Sequence, residues 1–84
     1  MYIIYSKKEC INCSKAKLLL HTESKIVVEC DELLKENRSE FIKDLEKKMK
    51  TKFRHFPVIF IDDIYLGDYQ DLVNHLSYEL VEEF

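Results

Sequence analysis

A short β-branched and aromatic run, Tyr2-Ile3-Ile4-Tyr5, leads almost directly into Cys10-Ile11-Asn12-Cys13, and a helix-like segment over residues 14–20 follows at once. Strand, C-x-x-C and helix in such close succession place Cys10 at a strand-to-helix turn. Spacing alone leaves three readings open for the two cysteines: a redox pair, half of a metal site, or two small hydrophobes. Position favours the redox pair. Unpaired N–H groups and the positive end of the macrodipole at a helix start favour a thiolate over a thiol. Cys10 is then the nucleophile. Cys13, about one turn further on, lies on the same side, deeper and within disulfide reach, as a resolving thiol would.

The rest of the chain continues the alternation. Lys25-Ile26-Val27-Val28-Glu29-Cys30 reads as a second strand, and its continuous apolar centre predicts burial on both faces, in parallel with the first strand through a crossover helix. From residue 39 to 50, Phe41, Ile42, Leu45 and Met49 recur at helical spacing behind a start at Ser39 and Glu40; Leu33 and Leu34 belong to an earlier turn or to an extension of that helix. Val58-Ile59-Phe60-Ile61 and Ile64-Tyr65-Leu66 flank Asp62-Asp63 and predict an antiparallel hairpin. Gly67 then releases the chain into a last helix capped by Asp68, with Leu72, Val73, Leu76, Leu80 and Val81 as its apolar stripe. The order β-α-β-α-β-β-α, with a C-x-x-C at the first strand-to-helix turn, is that of an α/β domain with the thioredoxin-like fold, a four-stranded mixed sheet flanked by three helices.

With 84 residues there is room for one domain, residues 1–84. The apolar runs, Leu18-Leu19-Leu20 and residues 57–61, are too short to span a bilayer. Three cysteines suit a reducing compartment better than a disulfide-stapled secreted scaffold, so a cytoplasmic protein is expected. A net charge of −3 gives no overall field for a polyanion, and neither nucleic acid nor membrane is an expected partner. The local basic stretch of Lys43, Lys47, Lys48, Lys50, Lys52 and Arg54, like the acidic Glu79, Glu82 and Glu83, reads as solvated surface.

Across essentially its whole length the sequence resembles the glutaredoxins. The resemblance rests on Tyr5-Ser6-Lys7 ahead of Cys10, on the dithiol Cys10-Ile11-Asn12-Cys13, on Arg54-His55-Phe56-Pro57-Val58 where the family carries Thr-Val-Pro with a cis proline, and on Leu66-Gly67-Asp68-Tyr69-Gln70-Asp71-Leu72 ahead of the last helix. It implies a glutathione-dependent thiol–disulfide oxidoreductase that reduces protein disulfides or glutathione mixed disulfides, with glutathione as reductant and no metal required. By the resemblance Lys7 holds a carboxylate of glutathione while also bringing a cation near Cys10, against the opposing charge of Glu9. Arg54 offers a fork-like guanidinium to a carboxylate. Phe56, before a cis Pro57, pairs with the ligand through its main chain. The N–H of Gln70 faces the ligand carboxylate, and Asp71 takes its ammonium.

His55 replaces the family's threonine and could tune Cys10. Asp68 replaces a glycine and Asn12 a tyrosine, so altered glutathione affinity is expected, although an ordinary member has a potential of roughly −200 to −230 mV. Two other readings compete. One is a thioredoxin-like electron donor, to ribonucleotide reductase for instance, served by a reductase; Lys7, Asp71 and the absence of tryptophan argue against it. The other is a metal or iron–sulfur module using Cys10, Cys13 and Cys30, for which no second C-x-x-C or paired histidines exist. Cys30 reads as a core thiol, and the chain is expected to act as a monomer.

Overall fold

The computed structural model describes residues 1–81, with side chains described through residue 77. The elements run β1 Tyr2–Ser6, α1 Ile11–Leu19, β2 Lys25–Glu29, α2 Asp31–Met49, β3 Val58–Ile61, β4 Ile64–Gly67 and α3 Tyr69–Val81. This is the expected order, with the sheet arranged β2-β1-β3-β4. β1 pairs in parallel with β2, Ile4 opposite Val27, and antiparallel with β3, Ile4 opposite Ile59. The β3–β4 hairpin turns through Asp62 and Asp63, both at positive φ of 49° and 68°, the backbone twist that a two-residue hairpin loop requires.

Alternation along the strands divides the core between the two faces of the sheet. Tyr2, Ile4 and Ile59 pack with Ala16 and Leu20 at α1 and Leu72 of α3. Ile3, Val58 and Phe60 face the other way and pack with Leu45 and Met49 of α2 and with Phe56. Beyond the carboxyl end of β1 lies the dithiol, with Cys13 buried in the second of these clusters.

Several expectations are corrected. Burial of β2 on both faces does not hold: Ile26 is 48% and Val27 37% exposed. The strand lies at the sheet edge, with β1 on one side only, so α1 and α2 cover the centre of the sheet in preference to it. Helix α1 starts at Ile11 and not at residue 14, because Cys10 itself caps it. Helix α2 starts at Asp31 and not at Ser39, so of the two readings of Leu33 and Leu34 the extension of the helix holds, with Asp31 and Glu32 at its positive end. It breaks at Asn37, whose φ of −155° and ψ of 77° are not helical. There the Asn37 amide oxygen accepts from the N–H of Glu40 at 3.3 Å and its amide nitrogen donates to the Glu40 carboxylate at 2.8 Å, so Asn37 is the cap that the sequence reading placed at Ser39. The exposed Lys43, Lys47, Lys48, Lys50, Lys52 and Arg54 are solvated, as expected. The side chains of Leu80 and Val81, and the acidic Glu79, Glu82 and Glu83, lie outside the described residues.

Candidate functional site

Three segments meet at the carboxyl end of β1. The first, residues 7–10, joins β1 to α1. Its backbone is anchored where the N–H of Lys8 meets both carboxylate oxygens of Asp31, at 3.2 and 3.3 Å, which ties it to the start of α2. Glu9 takes a left-handed φ of 55°, and Cys10 follows in an extended conformation as the N-cap of α1, its Sγ accepting from the N–H of Cys13 at 3.2 Å. A sulfur at a cap accepts a backbone N–H most strongly when ionised, so the helix start favours the Cys10 thiolate. Cys10 and Cys13 form a disulfide with Cα atoms 5.2 Å apart. Cys10 is part-exposed and Cys13 1% exposed. An incoming sulfur therefore meets Cys10 first.

The second segment is the loop before β3, where the Phe56–Pro57 peptide is cis, as the family resemblance implies. The Phe56 carbonyl oxygen lies 3.9 Å from Cys10 Sγ. The Phe56 ring is buried against Phe53, ring centroids 5.1 Å apart, and the Phe53 N–H is held by the Glu46 carboxylate at 2.7 Å. What this loop offers a ligand is thus its main chain.

The third segment is the start of α3. Gly67 has a φ of 139°, and any side chain there would meet the Asp71 carboxylate. Asp68 and Asp71 cap each other: Asp68 Oδ1 accepts from the N–H of Asp71, and Asp71 Oδ2 from the N–H of Asp68, both at 3.0 Å. Burial pushes the Asp68 carboxyl up, but the N–H and side chain of Asp71, the charge of His55 and the N–H of Gln70 outweigh it and hold it below its ordinary value. Tyr65 is pushed up by burial first and then by Asp71 and Asp68, with Arg54 working against them, so these groups share one electrostatic neighbourhood.

Lys7, Arg54 and Phe56 come together along a cavity of about 200 Å³, which Leu34, Arg38, Phe53 and His55 also line. Pro57 is buried and does not line it. Gln70 and Asp71 do not line it; they lie at the start of α3, joined to it through His55, whose Nε2 is 3.6 Å from Asp68 Oδ2. Arg38 and Asp31 escaped the sequence reading. The signal for Arg38 is the Asn37–Glu40 capping pair, which starts a helix at that residue, and the signal for Asp31 is an acid at the end of a strand. A larger cavity of about 280 Å³, lined by Ile3, Tyr5, Lys48, Phe60 and Asp63, holds no thiol and is not the site. Cys30 is fully buried, and burial first, with Glu29 and Asp31 adding and the Ser6 main chain opposing, pushes its thiol up to about 11. It is a core thiol. Among the described residues no three or more His, Cys, Asp or Glu side chains gather in a way that would hold a metal ion.

A part-exposed cysteine capping a helix, a buried partner one turn on and the Phe56 carbonyl of a cis Phe56–Pro57 peptide 3.9 Å from the first sulfur, all on a β2-β1-β3-β4 sheet, define a dithiol oxidoreductase of the thioredoxin fold. Comparison with known proteins narrows this. The glutaredoxin family matches residues 2–66. Glutaredoxin 1 of Rickettsia prowazekii (strain Madrid E) is 36% identical over 74 residues, covering 86% of this chain and 73% of its own. Among solved structures, glutaredoxin 1 of Francisella tularensis superposes with a TM-score of 0.77 at 24% identity over 94% of both chains. The buckwheat glutaredoxin–glutathione complex does so with 0.69 at 24% identity over 96% of this chain and 73% of that one. The chain belongs to the glutaredoxin family and is a thiol–disulfide oxidoreductase with Cys10-x-x-Cys13 as its redox pair.

Proposed function

We propose that this oxidoreductase uses glutathione as its reductant and acts on protein disulfides and glutathione mixed disulfides, with the cytoplasm as its setting. The observation that carries the reading is the cavity lined by the cations Lys7, Arg38 and Arg54 and by Phe56, whose carbonyl oxygen lies 3.9 Å from the part-exposed Cys10 sulfur. Carboxylates are what such a set attracts, bidentately in the case of arginine. Glutathione joins two carboxylates, an ammonium and a thiol in one tripeptide, and the complex of the buckwheat relative supports the choice.

In the proposed cycle the Cys10 thiolate attacks one sulfur of the substrate disulfide; a new S–S bond forms, the old one breaks, and the departing thiolate takes a proton. Cys13 then attacks Cys10 within the mixed disulfide and releases the second substrate thiol, leaving the Cys10–Cys13 disulfide. Two glutathione molecules reopen it by two successive exchanges and leave as glutathione disulfide. Where the substrate is itself a glutathione mixed disulfide, glutathione can take the place of Cys13 and resolve Cys10 directly.

Mass spectrometry of a Cys13→Ser variant in glutathione buffers of graded poise tests this. One glutathione on Cys10 is expected, accumulating because the resolving thiol is gone. No adduct at any poise removes glutathione from the reading, and full turnover in Cys10→Ser removes Cys10 as nucleophile.

A further inference from the structure

Both nitrogens of the His55 ring face acceptors. Nδ1 lies 3.3 Å from the carbonyl oxygen of Phe56, and Nε2 lies 3.6 Å from Oδ2 of Asp68. A neutral imidazole has one N–H to give the Phe56 carbonyl and no charge for Asp68; only the imidazolium donates to the carbonyl and at the same time pairs by charge with the Asp68 carboxylate at 3.6 Å. Neither acceptor is free to turn away. Asp68 is held through its Oδ1 by the N–H of Asp71, and the Phe56 carbonyl belongs to a buried residue wedged on Phe53.

That same carbonyl oxygen is 3.9 Å from Cys10 Sγ. When Cys10 is reduced and ionised, its sulfur meets the negative end of a carbonyl dipole, which disfavours the charge. A full positive charge hydrogen-bonded to that oxygen offsets the repulsion. A chain of contacts thus runs from the cap of α3 through the imidazole and the carbonyl to the reactive sulfur, joining three segments remote in sequence.

We propose that His55, as the imidazolium, is a positioning residue for Cys10: it bridges the Asp68 carboxylate and the Phe56 carbonyl, and so favours the thiolate that carries out the exchange. The charged groups around it are mixed. Asp68, backed by Asp71, favours the charged ring, while Lys7, Arg38 and Arg54, which line the same cavity, oppose it. Histidine is the residue type that changes charge between pH 5 and 8. The support to Cys10 is present at the acid end of that range and withdrawn at the basic end.

The experiment compares the rate at which iodoacetamide modifies Cys10 in the reduced wild type and in His55→Gln between pH 5 and 8, read at the Cys10 peptide by mass spectrometry. Glutamine keeps one N–H donor for the Phe56 carbonyl and loses the charge. The wild type is expected to react roughly threefold faster at the acid end, a ratio that combines a larger thiolate fraction with a less nucleophilic sulfur. The ratio falls to one as pH rises. Asp68→Asn, which keeps a capping oxygen, should shrink the acid-end advantage. Parallel profiles for wild type and His55→Gln overturn the proposal. So does an acid-end advantage unchanged in Asp68→Asn; the rise in rate that comes from the ionisation of Cys10 itself is common to all three proteins and drops out of the ratio.

Discussion

Replacing Asp68 separates the hydrogen bond of a helix cap from its charge. The carboxylate accepts from the N–H of Asp71 at 3.0 Å, and Ala there removes the acceptor at a cost of about 1 kcal/mol, within a usual range of roughly 0.5–2. Asp71 is exposed, so water can reach the freed N–H and the cost stays near the middle of that range. For a domain of this size about 1 kcal/mol lowers Tm by roughly 4–8 °C. Asn caps as well as Asp and gives up only the charge on the helix end, about 0.3–1 kcal/mol, so Asp68→Asn should lose at most as much as Ala, and typically half. The exposed His55 contact adds little to either. The folded carboxyl lies below its ordinary value of 3.8, so its stabilisation is fully present above that value and is lost as pH falls through the lower, folded one. Thermal melts by circular dichroism should therefore show the gap between wild type and Asp68→Asn constant from neutral pH down to about 5 and closing below 3.8. An Ala variant melting with the wild type, or an Asn gap that widens on acidification below that value, refutes the reasoning.

Lys50 ends α2 with a left-handed φ of 63°; Lys50→Gly should raise stability by about 0.5–1 kcal/mol in urea unfolding, because glycine takes that conformation freely. The Ser6 hydroxyl is buried with no hydrogen-bond partner among the described residues, so Ser6→Ala should be neutral or stabilising by up to about 1 kcal/mol. In the reduced native protein at pH 8 a thiol reagent should label Cys10 rapidly and leave Cys30 unmodified until denaturant is added, since Cys30 is inaccessible and remains a thiol far above that pH.

Local chemistry made most of this architecture legible. The C-x-x-C between a β-branched run and a helical one, the hairpin flanking Asp62-Asp63 and the cap at Asp68 are all written in neighbouring residues, and each is where the spacing places it. What escaped depends on position in the sheet or on residues brought together from afar. Val27 and Ile26 have the composition of a buried strand, but an edge position leaves them open, and no local pattern states which strand is the edge. The early start of α2 stayed open between an extension and a separate turn because residues 31–36 carry only Leu33 and Leu34 as apolar residues and Leu33 remains 41% exposed. At the site, the sequence distinguished cysteine from cysteine by position. It could not show that Asp71 reaches back to the N–H of Asp68 while Asp68 holds its own, a reciprocal pair at the start of α3.

Arg38 follows directly from the break in α2. It is the first residue beyond Asn37, and with Leu34 it lines the cavity that Lys7 and Arg54 enter from other segments. All three cations are exposed, so each contributes little alone, about 0.5–1 kcal/mol toward an anionic group, and salt screens it. Arg38→Ala should therefore raise KM for a carboxylate-bearing disulfide roughly two- to fivefold, with kcat nearly unchanged, because a charge that holds the ground state and the transition state alike acts on binding. An uncharged disulfide should be reduced at the wild-type rate, and the KM difference for the anionic one should shrink as salt is raised. Equal losses on charged and uncharged disulfides would mean that Arg38 shapes the loop around Cys10, and the electrostatic account of this cavity would fail.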